Sequence, residues 1–372
     1  MTSTRADILV VGAGVIGCAV AYELARRGAA VTLVDGRSVG QGATQASAGV
    51  LAPYLEAADH SDTFQSLTST SLSLYDAFVE QVQAESGRDV PYRRTGTLEV
   101  AGTDERMDVL RQRAARIDAD AHVSVLDAAA TRAEEPQVAA DVVGSLLIGA
   151  HGFVGVRALT AALATAARRH GVVVREQRAV HRIGSAAGGL CVETSEGTLG
   201  AAAVVLAAGS WSGTIAIEPT VASPAVRPVR GQLLHLVWKG APLRRVLWSE
   251  RCYLVPWDDG TVLAGATSED AGFEEKATVA GVRDLLDAAC DLAPQAWTAT
   301  FLGTRVGLRP ASPDELPIVG FSKTLPGLMY ATGHYRNGVL LAPLTARLVA
   351  DALVDDRRDP LLDALAPARF GL

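Results

Sequence analysis

The sequence of 372 residues lacks the residue patterns that bind structural or catalytic metals. Its four cysteines, Cys18, Cys191, Cys252 and Cys290, include no CxxC pair, and none of its seven histidines begins an HxxxH or HxxE segment. No GxSxG segment is present, which argues against a serine hydrolase with a nucleophile elbow. We therefore expect no metal centre, and cysteines spaced in this way are typical of reduced thiols in a cytosolic protein.

Excess positive charge and long apolar runs are also missing. Asp and Glu total 41 against 34 Lys and Arg, and the net charge of −7 argues against nucleic acid as a partner. The apolar N-terminal segment is interrupted by three glycines and followed by Glu23 and Arg26, which argues against a signal peptide or a membrane span. A hydrophobic content of 49% with 20% charged residues is typical of a soluble globular protein, and the length suggests two domains.

The most informative feature present is a glycine-rich turn near the N-terminus. An apolar strand ending at Val11 precedes Gly12, Gly14 and Gly17, which are followed by a helix over Cys18–Arg27 and a strand over Val31–Val34. Gly12 permits the turn, Gly14 lets backbone amides approach a pyrophosphate, and Gly17 lets the helix pack closely on the strand. Asp35, 18 residues after Gly17, is placed to bind ribose hydroxyls. The spacing predicts dinucleotide binding.

The segments that follow divide the chain into alternating regions. Residues 40–49 are small, and we interpret them either as a flexible linker or as a loop that lies against a flat ligand. Residues 64–82 show one long helical pattern, 93–100 resemble a strand, and 104–117 a charged helix. A second α/β unit has its helix over 157–170, and a buried strand runs into the small-residue turn at Gly209.

The rest of the chain shows two different residue patterns in turn. Residues 229–237, 253–256 and 261–266 alternate like strands of an antiparallel sheet. Residues 307–310 and 328–341 return to a glycine-rich, parallel style, and a helix follows over Pro343–Leu353. The prediction is a nucleotide-binding domain formed by 1–88, 145–222 and 304–372, interwoven with a substrate-binding domain formed by 89–144 and 223–303.

Four blocks carry a family resemblance: the Gly12–Gly17 turn with Asp35, the segment Gly42–Gly49, the segment Tyr253–Thr267, and GLRP at 307–310 with GHYRNG at 333–338. Together they resemble the flavin-dependent amine oxidases of the D-amino-acid oxidase superfamily, and within it the glycine oxidases of thiamine biosynthesis. The resemblance implies an α/β fold in which a Rossmann-like FAD-binding domain with a parallel sheet is interwoven with an α+β substrate domain built on an antiparallel sheet.

The resemblance also implies which residues bind FAD. Segment His334–Leu340 is expected beneath the flavin pyrimidine, leading into a helix N-terminus whose partial positive charge favours the reduced flavin. Because no cysteine follows Cys290, the flavin is expected to be non-covalent. The implied cofactor-binding residues are Gly12, Gly14, Val15, Ile16, Gly17, Asp35, Gly36, Ala43, Thr44, Ala48, Gly49, Val50, Val180, Gly209, His334, Tyr335, Arg336, Asn337, Gly338, Val339 and Leu340.

Three residues are expected at the substrate. Arg309 would bind an amino-acid carboxylate with two parallel donors, and Tyr253 would assist with its hydroxyl. Arg336 would contact the substrate through its carbonyl or orient the amine, although its side chain could equally serve structure. His334 is expected to hold the backbone beside the flavin, not to act as a base. Trp211 and Trp248 are interpreted as packing residues.

The implied reaction is oxidative deamination of glycine or another small amino acid or amine, with hydride transfer from the α-carbon to flavin N5 and reduction of molecular oxygen to hydrogen peroxide. Val50, Ser268 and Arg251 depart from the family pattern at the pocket edge, so the preference among glycine, sarcosine and small D-amino acids stays open. One alternative is a D-amino-acid dehydrogenase that passes electrons to quinone, and another is a flavoprotein without turnover. We expect a cytoplasmic protein with no membrane partner. The resemblance is compatible with a homo-oligomer, and the oligomeric state stays open.

Overall fold

The computed structural model describes residues 6–56, 62–218 and 224–372. The strands are β1 (Ala6–Val11), β2 (Val31–Val34), β3 (Val50–Leu51), β4 (Tyr92–Arg93), β5 (Thr97–Ala101), β6 (Val123–Asp127), β7 (Gly144–Ile148), β8 (Gly152–Val154), β9 (Val173–Arg175), β10 (Val180–Ala186), β11 (Gly189–Thr194), β12 (Gly197–Leu206), β13 (Ala216–Ile217), β14 (Arg227–Val237), β15 (Val246–Trp248), β16 (Tyr253–Pro256), β17 (Thr261–Gly265), β18 (Thr300–Ala311), β19 (Ile318–Phe321) and β20 (Leu328–Thr332). The helices are α1 (Val15–Arg26), α2 (Pro53–Glu56), α3 (Asp62–Ser73), α4 (Tyr75–Ser86), α5 (Asp104–Ala114), α6 (Ala128–Glu134), α7 (Val156–Arg169), α8 (Val279–Leu292), α9 (Gly338–Leu353) and α10 (Leu361–Leu365).

The first sheet has the predicted parallel centre. β1 lies between β12 and β2, and β9 and β20 extend this parallel part on either side. Side chains of β1 enter two different cores, with Val10 in one and Leu9 in the other, as expected for a strand buried on both faces. Helices α1, α7 and α9 pack together on one face of this sheet. This arrangement confirms the predicted Rossmann-like part of the α/β fold.

A second sheet is mainly antiparallel, with strand order β18-β14-β17-β16-β15-β5-β7-β6. Only the β15–β5 pair among these described strands is parallel. One face packs on α8, and the opposite face meets the loop that follows β2. A three-stranded sheet, β3-β8-β4, completes the strand pairing. The predicted antiparallel sheet is therefore confirmed.

The parallel style predicted for residues 307–310 is wrong. These residues lie in β18, which pairs antiparallel with β14 along its whole length, and Gly307 lies opposite Gly231. The glycine content of this block suggested the parallel part of the fold, but its cross-strand partners are supplied by β14, which is far away in sequence. The pairing also places β7 and β18 in the second sheet, whereas the predicted boundaries at 145 and 304 divide them differently. The domain division stays a prediction, and its boundary between residues 222 and 223 lies outside the described residues.

Two helical predictions also differ from the structure. The pattern over 64–82 forms two helices, α3 and α4, that meet at Leu74. The last helix begins at Gly338, earlier than the predicted Pro343, so this proline lies inside α9. Proline at position 343 has no N–H for the carbonyl of Val339, four residues earlier. The Tyr75 hydroxyl donates to that carbonyl at 2.9 Å, and the Ser71 hydroxyl donates to the Leu340 carbonyl at 2.6 Å.

Among the described residues, no helix has both the length and the apolar character needed to cross a bilayer.

Candidate active site

A large cavity lies where the two sheets meet. Its volume is about 630 Å³, and it runs from the glycine-rich turn after β1 to the residues of β16, β17 and β18. Loop residues 42–52 and the N-terminal end of α9 form further walls. The carboxyl ends of the parallel strands β1 and β2 open into it, which is where ligands bind in open α/β sheets.

At one end of the cavity, Asp35 closes the glycine-rich turn. Its carboxylate accepts hydrogen bonds from the N–H groups of Ala13, at 2.6 Å, and Arg37, at 2.7 Å. Burial raises the pKa of Asp35, and these two N–H donors only partly offset that rise. Gly12 has φ of +104°, and a Cβ there would overlap the Ala207 carbonyl, so only glycine fits.

Loop residues 40–49 form an ordered part of the cavity wall, which favours the ligand-loop interpretation over a flexible linker. Residues Ala43–Ala46 form a 3-10 helix. The Thr44 hydroxyl accepts a hydrogen bond of 3.0 Å from the N–H of Val15 in the first turn of α1. Gly49 has φ of +76°, and a Cβ there would overlap the Val154 carbonyl. These contacts join the loop to both the dinucleotide turn and β8.

The approach to α9 borders the middle of the cavity. His334 is 3% exposed, and its Nε2 lies 3.0 Å from the Thr345 hydroxyl of α9. Burial lowers the pKa of His334 to about 3, so the ring is neutral near pH 7. This contact agrees with the expectation that His334 holds the backbone. The N-terminal N–H groups of α9 have no partners within the helix and present a partial positive charge at this wall.

At the other end, Arg309 and Tyr253 line the cavity from the second sheet. The Arg309 Nη1 donates a 2.9 Å hydrogen bond to the Thr267 carbonyl. The Tyr253 ring stacks on Trp248, with centroids 4.9 Å apart and planes inclined by 23°. The two side chains thus offer a planar cationic fork and a phenol in one recess, a combination suited to a carboxylate.

Arg336 also lines the cavity, but its side chain is exposed. Its guanidinium lies 5.0 Å from the centroid of the neighbouring Tyr335 ring and donates to the Tyr335 hydroxyl at 3.2 Å. These local contacts agree with the structural interpretation of its side chain more than with a direct substrate contact.

The cavity brings together nearly all the residues predicted from sequence. Gly17 and Leu340 lie behind its wall: a Cβ at Gly17 would overlap the Gly12 carbonyl, and Leu340 is 1% exposed in the core. The predicted residues that line the cavity are Gly12, Gly14, Val15, Ile16, Asp35, Gly36, Ala43, Thr44, Ala48, Gly49, Val50, Val180, Gly209, Tyr253, Arg309, His334, Tyr335, Arg336, Asn337, Gly338 and Val339.

Several lining residues were missed in the sequence. Gly231 and Gly265 lie in the strands beneath Arg309 and Tyr253, and a Cβ at Gly265 would come within 2.8 Å of the Tyr253 ring. An isolated glycine inside a strand pattern was the available signal, because it indicates close approach of another group. Trp248 and Trp211 also line the cavity. Arg37 lies over the Trp211 ring, 4.3 Å from its centroid.

The residues present fit a bound FAD. One wall consists of glycines at which a side chain would overlap backbone, one acidic residue lies beside the dinucleotide turn, and a helix N-terminus faces the cavity. Among the described residues, no group of three or more His, Cys, Asp or Glu side chains is placed to hold a metal ion.

Comparison with known proteins identifies the family. Residues 7–352 match the family model described as DAO, FAD dependent oxidoreductase. The chain is 37% identical over 361 residues to the bifunctional protein ThiO/ThiG of Nostoc sp., covering 96% of this chain and 54% of that protein. It is 35% identical over 367 residues to a glycine oxidase of Geobacillus kaustophilus, covering 98% and 96% of the two chains.

The chain thus spans about half the length of the bifunctional relative and nearly all of the single-function one. A crystal structure of glycine oxidase from Geobacillus kaustophilus superimposes with a TM-score of 0.93 at 33% identity, covering 98% of this chain and 99% of that one. With the sequence match running through both sheets and the cavity between them, the chain belongs to the FAD-dependent oxidoreductases of the DAO family, and FAD is its cofactor.

Proposed function

We propose that the protein is an oxidase that deaminates glycine or another small amino acid or amine. The observation that carries the proposal is the recess formed by Arg309 and Tyr253 at one end of the FAD cavity. A substrate whose carboxylate is fixed there has its α-carbon held close to a cofactor in the same cavity. The glycine oxidase and ThiO/ThiG relatives, which match nearly the whole chain, support the same substrate class.

In this proposal, Arg309 binds the carboxylate of the substrate. Its guanidinium offers two parallel N–H donors, whereas a lysine would offer only a point charge. The Tyr253 hydroxyl donates a second hydrogen bond to the same group. Arg336 remains a candidate only through its main-chain carbonyl, which would accept a hydrogen bond from the substrate amine.

In this proposal the protein positions the substrate and stabilises charge, and His334 does not abstract a proton from it. His334 is bound to Thr345 and neutral, so it is not the base that removes a substrate proton. The substrate amine enters as the free base, and the hydrogen on the α-carbon leaves with its electron pair. Fixing the carboxylate restricts the positions open to the α-carbon, which lowers the entropic part of the barrier.

Bound FAD would supply the electron acceptor for that hydride at N5 and would return the electrons to molecular oxygen, giving hydrogen peroxide. Asp35, Val15, Ile16, Gly36 and the Val180 backbone would hold its adenosine half. Loop residues 43–50 and the segment from Gly333 to Val339 would hold the pyrophosphate and the flavin. We propose that the attachment is non-covalent. The imine product hydrolyses to an oxo acid and ammonia.

The size of the side chains around the recess affects which substrates fit. Val50 and Trp248 line the cavity near Tyr253, and Val50 is a smaller side chain than the methionine that the family pattern has at this position. We propose that glycine, sarcosine and small D-amino acids such as D-alanine all fit. A place in thiamine biosynthesis, a cytoplasmic location and a homo-oligomeric state are proposed by analogy with the relatives.

The test is reduction of the purified, FAD-loaded protein without oxygen. Addition of glycine, sarcosine, D-alanine or D-proline should bleach the flavin absorbance, and readmitted air should give one peroxide per substrate consumed. Bleaching with little peroxide would favour the quinone-linked dehydrogenase. Absence of bleaching with all four compounds would contradict the proposal. Arg309→Ala should raise KM strongly while FAD stays bound.

A further inference from the structure

The backbone of Gly231 lies beneath the Arg309 side chain. Gly231 in β14 lies directly opposite Gly307 in β18, and Arg309 lies two residues further along β18 on the same face. A Cβ built on Gly231 would lie 2.5 Å from each of three Arg309 atoms, Cζ, Nη1 and Nη2. A point equally distant from all three lies above the guanidinium plane, so the guanidinium rests with its face on Gly231.

A second contact fixes the guanidinium within its plane. The Thr267 carbonyl accepts a hydrogen bond from Arg309 Nη1. Thr267 is itself held, because its hydroxyl accepts from the N–H of Gln232 at 2.9 Å and its N–H donates to the Gln232 carbonyl at 3.2 Å. Gln232 is fully buried.

A carboxylate anchors this small network. Glu269 accepts hydrogen bonds from the Thr267 hydroxyl, the Gln232 amide and the Arg230 guanidinium at 2.5 to 2.6 Å. Burial raises the pKa of Glu269, but these three bonds outweigh burial and hold it below the usual range. The carboxylate is therefore charged near pH 7, and the Thr267 segment keeps one position.

We propose that Gly231 is a positioning residue for the carboxylate-binding Arg309: the missing Cβ leaves space in which the guanidinium lies flat while Thr267 holds its edge. The inference rests on the proposed function of Arg309 as the carboxylate-binding residue, and it adds a residue that acts through the Arg309 side chain. Gly231 has an ordinary φ, so backbone strain does not require glycine there.

The distances from a Cβ at Gly231 to Arg309 indicate what a methyl group at this position would do. Ordinary van der Waals contacts of a Cβ are 3.4–4 Å, so a contact at 2.5 Å requires a displacement of about 1 Å. The colliding atoms belong to the far end of a flexible side chain, so Arg309 yields and the fold does not. A displacement of this size at a positioning group costs on the order of a hundredfold in rate.

The experiment compares Gly231→Ala with wild type and with Gly200→Ala. Gly200 lies in strand β12, has an ordinary φ, and its nearest potential Cβ contact is at 4.0 Å. We expect Gly231→Ala to keep FAD and thermal stability at the level of Gly200→Ala. Its KM for glycine and its Kd for glycolate, followed by the change in flavin absorbance, should rise roughly ten- to a hundredfold. Glycolate keeps the carboxylate and lacks the amine.

A double-mutant cycle shows whether Gly231 acts through Arg309. In the Arg309→Ala background, Gly231→Ala should change the glycolate Kd no further, because no guanidinium remains to be displaced. Equal glycolate affinity in wild type and Gly231→Ala, or additive effects in the cycle, would overturn the inference and leave the proposed function standing.

If wild type neither binds glycolate nor is reduced by an amine, the proposed function fails. A crystal structure of Gly231→Ala then decides the inference alone: a displaced guanidinium supports the positioning role, and an unmoved one overturns it.

Discussion

The interrupted hydrogen-bond ladder of α9 gives a quantitative prediction. Pro343 leaves the Val339 carbonyl without its helical donor, and the Tyr75 hydroxyl supplies the missing hydrogen bond. Tyr75 is fully buried, so water has no access to replace the hydroxyl in Tyr75→Phe. We expect this substitution to lower the free energy of unfolding by about 1–3 kcal/mol, the cost of leaving a buried carbonyl unsatisfied.

The assay is urea unfolding of the FAD-loaded protein, with Tyr92→Phe as the matched control. Tyr92 packs against Tyr75 and donates its hydroxyl to Asp76, whose side chain is 63% exposed. The same loss of a phenolic oxygen should cost at most about 0.5 kcal/mol there, because water solvates the carboxylate.

A second comparison isolates the cause. In Pro343→Ala, residue 343 regains an N–H that would donate to the Val339 carbonyl, so Tyr75→Phe should cost about as little as the control. If Tyr75→Phe is no more destabilising than Tyr92→Phe, or if its cost is unchanged by Pro343→Ala, the hydroxyl does not compensate for the proline and the reasoning is wrong.

Three other substitutions test the site and the electrostatics. Arg309→Lys keeps the charge but loses the planar fork, so KM for glycine should rise about tenfold in steady-state assays while the flavin-to-protein absorbance ratio stays unchanged. Gly49→Ala should lower that same ratio in purified protein, because a Cβ would overlap the Val154 carbonyl where the loop meets the FAD cavity. Burial lowers the pKa values of His151 and His334 to about 3. As pH falls below about 6.5, each of these two histidines binds a proton in the unfolded chain but not in the folded protein. The free energy of unfolding should therefore fall by roughly 1.4 kcal/mol per histidine per pH unit, until the folded protein is protonated as well. In urea unfolding between about pH 4.5 and 6, His151→Asn should make the free energy of unfolding depend less steeply on pH, by the contribution of one histidine.

Each of these has an outcome that contradicts it. An unchanged KM in Arg309→Lys would mean that charge alone binds the carboxylate. Full FAD content in Gly49→Ala would show that the loop adapts to a side chain. An unchanged pH slope in His151→Asn would show that this histidine binds its proton equally in the folded and unfolded states.

Local patterns predicted the first part of the fold well. The strand–turn–helix–strand unit ending at Asp35 depends on residues within one short segment, so periodicity and glycine spacing suffice to identify it. The small-residue loop and the GLRP block indicated the cavity residues through the family resemblance, since composition alone left the loop open between a flexible linker and a ligand-binding loop.

The features that were missed depend on partners distant in sequence. Proline is favoured at the start of a helix, so Pro343 suggested a start there, but hydroxyl groups of α3 and α4 permit it inside α9. Residues 307–310 were assigned to the parallel, glycine-rich part of the chain, and only the pairing of Gly307 with Gly231 shows that they lie in an antiparallel sheet. The role of Gly231 itself requires knowing where the Arg309 guanidinium lies.

Strand β18 links the cofactor loop to the substrate end of the cavity. A Cβ on Gly307 would lie 2.7 Å from the Ala46 methyl group, and Arg309 follows two residues later in the same extended strand. The Cα atoms of Gly307 and Arg309 are therefore about 7 Å apart along one paired strand. A hinge motion between the two sheets would have to break the close contact between Gly307 and Ala46, so we expect the loop and β18 to move together.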